Sequence, residues 1–140
     1  EEALEQVGAA ALRQRNFSHL SGGEQQLVLI ARALAQQAEV LMMDEPTSAL
    51  DYGNQLRILR LVRQLAQRGY TVILSTHNPQ HALTYAHRLL ALHDGAAAAL
   101  GMPSTVLTPQ LMKQLYGVEV DFLETAAGRI LVPRVEGGDV

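Results

Sequence analysis

Apolar residues recur at helical spacing in several stretches of this chain and bunch into short continuous runs between them. Residues 1–13 read as a helix interrupted at Gly8, followed by a polar connector over 16–20. Leu27, Ile30, Ala31 and Leu34 form a second helical stripe that runs to about Gln37. Leu56, Ile58, Leu59, Val62 and Leu65 mark a third over about 55–67, stopped by Gly69. Residues 40–43 are wholly apolar, the pattern of a parallel strand covered on both faces, and residues 71–75 read as a second buried strand. The methionines at 42 and 43 read as core.

Further along, Pro79 opens a helix to about His87, residues 89–92 form a strand, and Asp94-Gly95 signals a hairpin turn. The partner strand over 96–100 carries four alanines, which are weak strand formers. Thr108-Pro109 opens a helix that Gly117 closes, and residues 118–122 and 129–132 read as a small β-ribbon. Residues 136–140 are expected to be disordered. Strand and helix alternate from Val40 to Leu92, which argues for a parallel α/β sheet. Ligands of such sheets sit at the carboxyl ends of the strands. Asp44 and Glu45 follow one strand and His77 follows the next, so three reactive side chains are expected on one sheet edge.

Composition narrows the chemistry. The chain has 140 residues, 48% hydrophobic and only 4% aromatic, so its core is aliphatic. The net charge of -3, with basic residues scattered, provides no field for nucleic acid. There is no cysteine, which excludes disulfides and thiolate metal sites. No apolar run reaches the roughly 18–20 residues of a membrane span.

Ser21-Gly22-Gly23-Glu24 has the spacing of a capping box, and the helix N-terminus it opens is an anion site whose glycines admit a phosphate. Asp44 suits the water shell of Mg2+, a hard cation that prefers oxygen. Glu45 suits orientation of water for attack on a γ-phosphate, and His77 suits a hydrogen bond to that phosphate. Read locally, Ser21–Glu24 is equally an ordinary cap and Asp44-Glu45-Pro46 a polar turn. His77 and His81 lie four apart, but Pro79 between them and the missing H-E-x-x-H pattern argue against zinc. His19, His87 and His93 read as surface or loop residues.

Leu20-Ser21-Gly22-Gly23-Glu24-Gln25-Gln26, Val40 to Glu45, Ser48-Ala49-Leu50-Asp51 and Ser75-Thr76-His77 together resemble the ATP-binding subunits of ABC transporters. They match, in family order, the signature, the Walker B strand, the D-loop and the switch-histidine loop. The resemblance implies an α/β fold: a partial P-loop NTPase core with parallel sheet, part of the helical signature subdomain and a C-terminal β-ribbon and helix extension. It assigns residues 1–38 to the signature subdomain, 39–95 to the α/β core and 96–140 to the extension. It makes Glu45 and His77 catalytic, Asp44 the Mg2+-associated residue, and Ser21, Gly22, Gly23, Glu24 and Asp51 nucleotide-binding or coupling residues, with ATP and Mg2+ as cofactors. The implied partners are a second ATPase subunit in a homodimer and a transmembrane permease, at the cytoplasmic face of the membrane.

Asp51-Tyr52-Gly53-Asn54-Gln55, residues 76–82 and residues 107–120 resemble importers of iron–siderophore, haem, cobalamin and related metal chelates. A G-x-x-x-x-G-K-[ST] loop is expected upstream of these motifs, and the one lysine here, Lys113, lies in no such loop. The chain therefore reads as the second half of such an ATPase, inactive by itself and with an apolar strand edge open to self-association. A nucleic-acid-associated ABC ATPase and a non-catalytic dimerisation or docking module are the alternatives.

Overall fold

The computed structural model describes residues 1–134, so the expectation for 136–140 lies outside the described residues. The chain divides into two compact units, Glu1–His77 and a second that begins at Asn78.

In the first unit, helix α1 spans Glu2–Gln6. It ends in a left-handed Gly8 at φ 67. The Gly8 N–H donates to the Glu5 carbonyl and the Ala9 N–H to that of Leu4, which together close the last turn as a Schellman motif. The expected continuation to Arg13 is only a 3-10 turn over Ala10–Leu12. The connector before Ser21 holds another 3-10 turn, Phe17–His19, capped by the Asn16 side chain. Helix α2 spans Gly22–Ala35, strand β1 Val40–Met43, helix α3 Tyr52–Gln67 and strand β2 Thr71–Leu74. Gly69, at φ 100, ends α3 by the same device as Gly8, with the Tyr70 N–H donating to the Leu65 carbonyl.

β1 and β2 pair in parallel, Val40 opposite Thr71 and Met43 opposite Leu74. The ladder runs one bond further, from the Ser75 N–H to the Met43 carbonyl. Leu27, Ile30, Ala31 and Leu34 of α2 and Ile58, Leu61, Val62 and Leu65 of α3 meet Leu41 of β1 in one core. Val72 and Leu74 pack against it from β2. The opposite face of the sheet departs from expectation. Val40, Met42 and Ile73 are exposed, Met42 by 77%, so these strands are covered on one face by the described residues, and Met42 is no core residue.

The second unit contains α4 (Pro79–Tyr85), β3 (Leu89–His93), β4 (Ala96–Gly101), α5 (Pro103–Val106), α6 (Pro109–Tyr116), β5 (Val120–Thr125) and β6 (Gly128–Pro133). β3 pairs antiparallel with β4, not with β2, so the expected parallel sheet to Leu92 is confined to β1 and β2. Asp94 and Gly95, at φ 49 and 76, make the two-residue turn, whose twist matches that of the strands. The alanine run becomes a strand through its antiparallel ladder with β3. Beside it, a Cβ added at Gly101 would stand 2.8 Å from a Val106 methyl. α5 itself was not expected from the sequence.

A second core joins Ala82, Ala91, Leu107, Leu111, Met112 and Val120. The β5–β6 ribbon meets α4 in this core and through Gln80. Gln80 accepts the Leu131 N–H at 2.8 Å and donates to the Arg129 carbonyl at 3.2 Å, as a neighbouring strand would.

Leu65 is fully buried and Leu29 is 46% exposed, so truncation separates them. Leu65→Ala is expected to cost about 3 kcal/mol and Leu29→Ala under about 0.5 kcal/mol in urea unfolding.

Candidate functional site

The predicted side chains gather in two groups, both in the first unit. The first lies at the carboxyl ends of β1 and β2. Because Met43 and Leu74 are register partners, the residues that follow them, Asp44-Glu45 and Ser75-Thr76-His77, emerge side by side. His77 Nδ1 lies 3.1 Å from Glu45 Oε2. Ser75 joins the two loops: its hydroxyl donates to Asp44 Oδ1 and accepts the Glu45 N–H at 2.8 Å.

Glu45 itself is left-handed at φ 42, a conformation unfavourable for a residue with a Cβ. Ser75 supports that turn on one side. On the other, the Ser48 N–H and hydroxyl both donate to the Glu45 carbonyl at 3.1 Å. Sequence reasoning placed Ser75 in the switch-histidine motif but gave its hydroxyl no role; the structure ends the strand at Leu74 and sets that hydroxyl between the two loops.

The second group joins the start of α2 to the start of α3. Ser21 caps α2 reciprocally with Glu24: the Glu24 N–H donates to Ser21 Oγ at 3.3 Å, and Glu24 Oε2 accepts the Ser21 N–H at 2.8 Å. These bonds, chiefly that from the Ser21 backbone, hold the Glu24 carboxyl below the usual glutamate range. The first-turn N–H groups of Gly22 and Gly23 lack intrahelical acceptors by the geometry of a helix start. Asp51 caps α3 through the Asn54 N–H at 3.0 Å, the first of the bonds that hold its carboxyl below the usual aspartate range.

The carboxylate edge is open: Glu45 and His77 side chains are 43% and 68% exposed. Among the described residues no group of three or more His, Cys, Asp or Glu side chains could enclose a metal ion. Asp44 presents a carboxylate at this edge, the hard oxygen donor that Mg2+, which keeps several waters, accepts. His81, set aside as a zinc ligand, is buried with its Nε2 3.1 Å from the Asn78 amide. A cavity of about 410 Å³ lies elsewhere, lined by Val7, Gly8, Leu27, Arg57 and Leu61 among others, and contains none of the predicted site residues.

Residues 7–81 match the family profile described as "AAA domain, putative AbiEii toxin, Type IV TA system". The hemin import ATP-binding protein HmuV of Bordetella pertussis (strain Tohama I) is 44% identical over 142 residues, covering 94% of this chain and 54% of that protein. The chain belongs to the ABC-type ATPases. The iron(3+)-hydroxamate import ATP-binding protein FhuC of Bacillus subtilis (strain 168) is 38% identical over 122 residues, covering 86% of this chain and 45% of that protein. Among solved structures, "an inward-facing conformation of a putative metal-chelate type ABC transporter" aligns with a TM-score of 0.87 at 33% identity, over 96% of this chain and 55% of that one. The chain spans about half the length of the curated relatives it matches. As an ABC-type ATPase it has the P-loop NTPase fold over that span, with small sheets. No helix among the described residues is long and apolar enough to cross a membrane.

Two measurements probe this geometry. Ser75→Ala removes both bonds that the Ser75 hydroxyl makes across the loops and is expected to cost about 1 kcal/mol in chemical denaturation. The cap carboxyls have folded pKa values below their unfolded ones. Their stabilisation is therefore present above the unfolded values, about 4, and is lost as pH falls through the lower folded values. The amide resonances of Ser21 and Asn54, which donate to Glu24 and Asp51, are expected to titrate with midpoints below the ordinary carboxylate range.

Proposed function

We propose that this chain is the signature, Walker B and switch-histidine portion of the ATP-binding subunit of an importer for haem or a related iron chelate. The observation that carries the reading is the assembly of Asp44, Glu45, Ser75 and His77 on one strand-end edge. The names of the relatives, hemin and iron(3+)-hydroxamate importers, support the substrate class.

Mg2+, when bound, neutralises charge on the phosphates. Asp44, with one of its oxygens fixed by Ser75, would hold the ion's water shell. Glu45 orients the attacking water and takes up its proton at Oε. His77, 3.1 Å from Glu45, shares that carboxylate and reaches the γ-phosphate by hydrogen bond. Ser21, Gly22 and Gly23 present a hydroxyl and two N–H groups to ATP held by a second copy of the subunit, where the helix dipole adds to the attraction. Asp51 couples the two sites. The complete subunit works as a homodimer against a membrane permease at the cytoplasmic face. The 140 residues by themselves contain no G-x-x-x-x-G-K-[ST] loop and turn over little ATP.

In the complete polypeptide, Glu45→Gln is expected to lower kcat for ATP by about 10²–10⁴-fold while ATP still binds. ATP turnover at the native rate by this variant, or rapid MgATP turnover by the isolated 140 residues, would overturn the assignment.

A further inference from the structure

The bonds around Asn54 go beyond what a helix cap requires. The cap proper is the Asn54 backbone N–H to Asp51 Oδ1, and any residue but proline would supply it. The Asn54 side chain adds a second bond, Nδ2 to Asp51 Oδ2 at 2.6 Å, so that both carboxylate oxygens are engaged. The other end of the same amide lies against the start of α2. A Cβ built on Gly23 would stand 2.6 Å from Asn54 Oδ1 and 2.7 Å from its Cγ, closer than real Cβ contacts. Gly23 is buried at that contact. A methyl group there would require Asn54 to shift, and the same amide is already bonded to Asp51.

Leu50 repeats the arrangement one residue earlier. A Cβ on Gly22 would stand 3.3 Å from Leu50 Cδ2, and the Leu50 carbonyl is held by Gln55 Nε2 at 2.9 Å. Both glycines of Ser21-Gly22-Gly23 thus admit the segment 50–54 of their own chain, a demand separate from the approach of a phosphate.

We propose that Asn54 is a positioning residue that locks the Asp51 carboxylate to the first turn of α2, so that the signature and D-loop groups of one subunit move as a single body. The inference deepens the proposed function and rests on it for the catalytic consequence. The contact itself stands on geometry alone.

The test uses the complete polypeptide. Asn54→Asp keeps the shape of the side chain but sets a carboxylate against Asp51 where an amide donated. It is expected to lower kcat for ATP about tenfold with KM changed less than about twofold, as a misplaced group would. A side chain that only filled space beside Gly23 would leave kcat native in this variant, and that result would overturn the proposal. Gly23→Ala is expected to lower the thermal midpoint by about 3 °C or more, and to cost less than half as much in an Asn54→Ala background. Equal cost in both backgrounds would overturn the contact. Absence of ATP turnover in the unsubstituted complete protein would sink the proposed function, while the thermal cycle would still decide whether Asn54 and Gly23 are coupled.

Discussion

Two four-residue strands lie parallel with Met43 opposite Leu74, and every group of the carboxylate edge descends from that register. A slip of one residue in such a pair would turn each side chain to the other face and move Ser75 away from Asp44. The register is held by burial as well as by the ladder. Leu41 from β1 and Val72 and Leu74 from β2 share one core with α2 and α3. Hydrophobic packing thus fixes where the polar groups emerge.

The two polar groups of the first unit use opposite strategies. At the strand ends, a side chain from one loop, Ser75, supports the backbone of the other, leaving the carboxylate of Glu45 and the ring of His77 open to solvent. At the helix starts, the carboxylates themselves are consumed as caps, which keeps Glu24 and Asp51 ionised and fixed. The first arrangement leaves its side chains open to water and ions. The second turns charge into geometry.

The features legible in the sequence were those set by short-range chemistry. Ser21 and Glu24 stand three apart and form a reciprocal cap; Asp94-Gly95 makes the expected hairpin turn; Gly69 ends its helix. Asp44, Glu45 and His77 met on one edge because parallel strands share their direction. Long-range partners were not legible. Ser75 lies 31 residues from Asp44, and no local pattern announces a bridge across that distance. The exposed face of Val40, Met42 and Ile73 was invisible because an apolar run reports preference for burial, not the presence of a cover. β3 was read into the parallel sheet because alternation of strand and helix does not show where a chain changes partner. The Gly23–Asn54 contact was hidden for another reason: a glycine already explained by one demand gives no sign of a second.

Glu45 carries a further consequence. Its backbone sits at φ 42, where glycine or asparagine would rest at lower energy. The fold bears that strain through bonds from Ser75 and Ser48. A search for heat-resistant variants that ignored ATP would therefore be drawn to this position and would discard the carboxylate, because strain and proposed chemistry fall on the same residue.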